Sequence, residues 1–148
     1  RCSSSFDTAQ WAVVLLPSAT HPHHAPARPI CNVSRVGVWW ETALASAYDI
    51  EVTTAFKGRV AEDDPDRVGE TEWTLVHRSE SDSRPRPMSK ADLHHVIPVT
   101  SPGGGPGFVG VEAVRLSCRT RATRWGYSVW ELEVFGTCVA PGHDTRGT

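Results

Sequence analysis

Apolar residues recur with period two in several short stretches of this chain, and helical periodicity is scarce. In residues 33–40, Val36, Val38 and Trp40 fall on one side. In residues 48–52, Tyr48, Ile50 and Val52 fall on one side, with Asp49 and Glu51 on the other. Residues 73–77, 95–99, 114–118 and 129–135 complete the set. Successive side chains of a strand point to opposite faces, so each run offers one face to a core. Short strands separated by Pro and Gly predict an all-β fold, an antiparallel sandwich or barrel. The predicted core is Val36, Val38, Trp40, Tyr48, Ile50, Val52, Leu116, Leu132 and Val134. Residues 11–16 are apolar throughout and read as a buried strand. Residues 41–47 are rich in Ala and predict at most a helical turn, being too short for an independent helix.

The runs are separated by stretches that read as loops. Residues 17–29 carry four prolines and three histidines. Residues 57–72 are charged and include Asp63, Asp64 and Asp66, and residues 79–90 are rich in Ser, Arg and Pro. Residues 101–107 (Ser-Pro-Gly-Gly-Gly-Pro-Gly) form a turn or link that no strand can cross. There is no internal repeat and no sign of a second domain. Residues 1–140 read as one module, with 141–148 as a frayed tail.

Composition excludes several classes. The 148 residues carry a net charge of -2, which is no footprint for nucleic acid or an anionic membrane. No apolar run approaches the roughly 20 residues of a membrane span. The sequence begins with Arg rather than Met, as a mature form, an excised piece or a truncated sequence would. The four cysteines, Cys2, Cys31, Cys118 and Cys138, lack any CxxC spacing, which leaves disulfides or buried thiols. Asn32-Val33-Ser34 is a glycosylation sequon. Together these favour a secreted, extracellular or cell-surface protein.

The densest chemistry lies in residues 119–127, which hold Arg119, Arg121, Arg124, Trp125 and Tyr127 between two predicted strands. Sugar rings stack their apolar faces on aromatic rings, and guanidinium forks bond the hydroxyls at their edges. Trp125 beside Arg121 and Arg124 suits a shallow glycan site, whereas a Trp or Tyr there can equally cap the core. The histidines at 21, 23 and 24 lack fixed metal-ligand spacing. His94 and His95 alternate across a strand and cannot face one site. Asp63, Asp64 and Asp66 lack the full spacing of a calcium loop. No nucleophile elbow, zinc-protease motif or phosphate loop is present.

Three stretches resemble discoidin modules, also called coagulation-factor type C domains, and among them family 32 carbohydrate-binding modules. The first is Arg1-Cys2-Ser3-Ser4 with the apolar run from Gln10 to Leu15. The second is residues 33–41 with Ala43, Ala45 and residues 48–52. The third is residues 113–136, where Arg121, Gly126-Tyr127-Ser128 and residues 130–134 match the family's ending. Together they cover about half the chain. The resemblance starts at Arg1, so the family's preceding strand and calcium-binding loop have no counterpart, Cys2 stands in place of a buried Trp, and the loops are longer.

The resemblance implies a jelly-roll sandwich of the galactose-binding type that recognises a glycan or glycoprotein without catalysis. Trp125 would stack on the sugar, Arg121, Arg124 and Glu41 would bond its hydroxyls, and Tyr127 would contribute or cap. Glu41 would also reach Arg121 if residues 33–40 pair antiparallel with 129–135. The same pairing would bring Cys31 to Cys138, leaving Cys2 for Cys118, with other pairings open. Glu131 would be a calcium ligand, calcium being the one cofactor implied. Two other readings stand beside this one: an extracellular adhesion or protein-binding module, and an accessory fragment of a larger glycan-active enzyme.

Overall fold

The structure is a computed structural model that describes residues 10–20, 28–57, 71–79 and 89–140. The His21, His23 and His24 cluster, Asp63, Asp64 and Asp66, Cys2 with the Arg1–Ser4 stretch, and the predicted tail lie outside the described residues. The chain is all-β: two antiparallel sheets packed as a jelly-roll sandwich. Its strands are β1 (Gln10–Leu15), β2 (Ile30–Trp40), β3 (Ala45–Thr53), β4 (Thr74–Ser79), β5 (His94–Pro98), β6 (Phe108–Val109), β7 (Ala113–Arg121) and β8 (Val129–Val139). One sheet has the order β1-β7-β3-β4. In the other, β2 is central, with β5 and β6 along one side and β8 along the opposite side.

The alternation read in sequence decides which faces meet. Val36, Val38 and Trp40 of β2 face Tyr48, Ile50 and Val52 of β3 and Leu116 of β7, all of them buried. Leu132 and Val134 of β8 are half-buried and pack against this cluster. Cys31 and Cys138 sit opposite each other in the β2–β8 ladder and are joined by a disulfide.

Two local expectations are corrected. Among the described residues the first strand is an edge strand, not a buried one: it pairs only with β7, and Trp11 is 64% exposed. The Ala-rich stretch after Trp40 is not a helical turn. It bends at Thr42 and Ala43 and enters β3 at Ala45, which pairs with Arg121. Small side chains permit either backbone, and the β7 ladder supplies hydrogen bonds that an isolated turn lacks. Three short elements add to the sequence reading: the helical turn α1 (Pro17–Thr20), whose Ser18 Oγ donates to the Val111 carbonyl at 2.8 Å, the 3-10 turn Lys90–Leu93, and the two-residue β6. The turn at 101–107 is as expected, with Gly104 and Gly107 at positive φ.

A polar network crosses the core between β5, β2 and β3. The Trp40 indole nitrogen lies 3.2 Å from His95 Nδ1, and the Tyr48 hydroxyl lies 2.7 Å from the same atom. An indole N–H only donates, so Nδ1 accepts and Nε2 carries the proton. Nε2 then donates to the Asp92 carbonyl at 3.0 Å. Burial pushes the Tyr48 hydroxyl up to about 12, so it stays a donor. Burial likewise holds His95 below the usual imidazole range; the Asp92 carbonyl opposes this, and neighbouring His94 and His77 add to the lowering.

The sign of the pH effect follows. The unfolded chain takes up this proton near the ordinary value of about 6.5, and the folded chain resists it. Stability is therefore full above that value and declines as the pH falls below it. We expect the urea midpoint to drop between about pH 7 and pH 5, and more steeply for the wild type than for His95→Gln. Equal slopes for the two proteins would show that His95 is not the coupled group.

Candidate functional site

Two connections cross between the sheets at the same end of the sandwich. Residues 41–44 carry β2 into β3, and residues 122–128 carry β7 into β8. Main-chain hydrogen bonds tie them together. The Glu41 amide donates to the Ser128 carbonyl at 2.9 Å, the Ser128 amide to Ala43 at 2.8 Å, and the Ala122 amide to Leu44 at 3.0 Å. The Ser128 hydroxyl adds a bond to the Glu41 carboxylate. The longer loop is thus pinned near both ends to the shorter one.

The predicted site residues take different positions on this rim. Trp125 is 59% exposed. Its amide donates to Thr123 Oγ1 at 3.3 Å, and the Arg124 guanidinium carbon lies 4.6 Å from its ring centre. Arg121 closes the base of the loop, donating from Nη1 to the Arg124 carbonyl at 3.5 Å. Glu41 is exposed and meets Ser128. Tyr127 turns inward and packs against the core, and burial raises the pKa of its hydroxyl. It backs the loop rather than standing clear of it. Arg119, the first arginine of the stretch, points away to β3 and donates to Asp49 at 3.1 Å.

The outer faces of the two sheets differ in charge. On the β1-β7-β3-β4 sheet the charges are closed on one another. Arg115 grips Glu51 with two bonds of 2.7 and 2.9 Å, and Ser117 adds a third at 2.9 Å. Arg78 and Arg119 both hold Asp49. Burial alone would raise the Asp49 carboxyl pKa, but the two guanidiniums outweigh it and hold that group below the usual carboxylate range. The β5–β2–β8 face carries Trp39, His94, Glu131 and Glu133. Trp39 and His94 stack at 3.6 Å with their planes 7° apart. Glu133 lies over Gly37, where any side chain would collide with it, and its carboxylate is 3.3 Å from His94 Nε2.

Sequence reasoning assigned no role to Trp39, His94, Trp130 or Glu133. Trp39 alternates with Val38 and Trp40, and Glu133 with Leu132 and Val134, a signal that both face outward; Trp130 shares the parity of Leu132 and Val134, and the register shift that makes it the extra residue of β8 leaves it exposed. That they share one patch depends on strand pairing, which local pattern does not encode.

Two further expectations meet the structure here. Glu131 is exposed, and among the described residues no group of three or more His, Cys, Asp or Glu is placed to hold a metal ion. Asn32 is the third residue of β2, with its amide oxygen buried against Gly107. Among the described residues no helix is long and apolar enough to cross a membrane.

The fold and this rim place the chain in the class of β-sandwich modules. Two solved structures of chitosan-binding module 1, derived from a chitosanase/glucanase of Paenibacillus sp. IK-5, share it. A selenomethionine-labelled point mutant of that module superposes with a TM-score of 0.57 at 27% identity, over 88% of this chain and 71% of the other. A crystal structure of the module gives 0.56 at 26% identity, over 91% and 80%. No protein-family model matches the chain, and no curated protein matches it.

Proposed function

We propose that this chain is a non-catalytic carbohydrate-binding module of the discoidin type, working through its rim loops. The observation that carries this reading is Trp125: an exposed indole on a pinned loop, with the Arg124 guanidinium beside it. A sugar ring stacks on the indole, and Arg124, Arg121 and Glu41 bond its hydroxyls. Tyr127 supports the loop from behind. The fold shared with chitosan-binding modules supports this reading. Affinity for one sugar unit is low, because a shallow site gains one stacked ring and a few bonds that compete with water. Such a module acts as the accessory part of a larger glycan-active protein outside the cell, where the Cys31–Cys138 bridge persists.

The test is a glycan array followed by titration of the best ligand. Trp125→Ala will weaken binding by about tenfold or more, as loss of an aromatic stack predicts. Stability will change by less than about 0.5 kcal/mol, since the ring is exposed. Unaltered affinity in this variant would place the site elsewhere, and a silent array with folded protein would refute the function.

A further inference from the structure

We infer that the outer face of the β5–β2–β8 sheet is a second glycan contact, and that it takes a linear glucosamine oligomer with free amines. The inference rests on the carbohydrate-binding reading above and names the ligand class that the rim alone does not select. The rim is rich in guanidinium groups, which repel an ammonium. The sheet face has the opposite character.

Its platform is aromatic. Trp39 and His94 lie flat against each other on neighbouring strands. The register shift between Trp39 and Trp40 inserts an extra residue in β8, leaving Trp130 75% exposed next to exposed Glu131. Glu131 sits opposite Trp39, so one row runs Glu131–Trp39–His94 across three strands. Neighbouring strands are about 4.8 Å apart, so the backbone row is roughly 10 Å long, with the Trp39 and His94 rings 3.6 Å apart within it.

Its charge is unspent. Among the described residues Glu131 has no ion-pair or hydrogen-bond partner, and Glu133 has only the His94 imidazole. Arg35, a cation on this face, lies farther along β2 with its guanidinium 4.9 Å over Phe135. By contrast, the carboxylates of the opposite sheet are held by arginines. An ammonium brings three donors and forms charge-assisted bonds to a carboxylate. An aromatic row edged by the unpaired Glu131 and by Glu133, whose one partner is an imidazole, thus fits the amine and the ring of glucosamine together, and the solved chitosan-binding modules share this fold.

Calorimetric titration with a glucosamine hexamer and with its fully N-acetylated counterpart tests this. The wild type will prefer the free-amine oligomer, and added salt will weaken that preference. The double variant Glu131→Gln, Glu133→Gln keeps side-chain shape and removes charge; its preference ratio will fall by about tenfold. Trp130→Ala will weaken both oligomers. An unchanged ratio in the double variant, with binding abolished by Trp125→Ala, would overturn this proposal and leave the rim reading standing. Failure of the folded wild type to bind either oligomer or any arrayed glycan would sink both.

Discussion

Replacing Trp40 with alanine will destabilise the fold by about 3–5 kcal/mol, the range for truncating a buried large aromatic. Trp40 is 1% exposed and lies where the two sheets meet, its ring 5.3 Å from that of Tyr48. Removing it opens a cavity between β2 and β3 and takes away one of the two donors that fix His95. Domains are stable by about 5–15 kcal/mol, so the loss takes a large share of the total. Trp40→Phe separates the two contributions. It keeps most of the volume and loses the N–H, and it should cost nearer 1–2 kcal/mol. Urea denaturation at neutral pH measures both. A cost below about 1 kcal/mol for the alanine variant would mean that this ring is not part of the core.

Removing the Cys31–Cys138 disulfide will cost about 2–5 kcal/mol. The bridge joins positions 107 residues apart, so it restrains almost the whole chain in the unfolded state. It also fixes the pairing of β2 with β8, and with it the row of Trp39 opposite Glu131. Cys31 is buried, so the double alanine variant is preferable to serine, which would bury a hydroxyl. The midpoint temperature should fall by roughly 2–4 °C for each kcal/mol lost. Reductant should lower the midpoint of the wild type and leave the double variant unmoved. Identical midpoints for oxidised and reduced wild type would contradict the bridge's stabilising role.

Both predictions depend on strand β2, and much of that strand was readable in advance. Val36, Val38 and Trp40 alternate with Arg35, Gly37 and Trp39, and alternation needs only the geometry of one extended segment. The inward set was therefore legible residue by residue. The Cys31–Cys138 pair followed once two segments were set antiparallel. The exposure of Trp125 was legible as one of two options for a ring in a polar loop, and the structure has it outward. Tyr127, two residues later, packs inward, which a loop with no regular period does not reveal.

What the sequence determined by itself is the set of faces: which side of each strand is apolar and where turns must interrupt. Those are local properties, set by side-chain alternation and by residues such as Gly104 and Gly107 that accept unusual backbone angles. The tertiary structure alone decided what stands beside what. It buried Asp49 under Arg78 and Arg119, drew Ala45 into a ladder instead of a helical turn, and left Trp11 on an edge. It also placed Trp39, His94 and Glu131 in one row. Such neighbours come from distant parts of the chain, and their contact energies exist only after the sheets have paired.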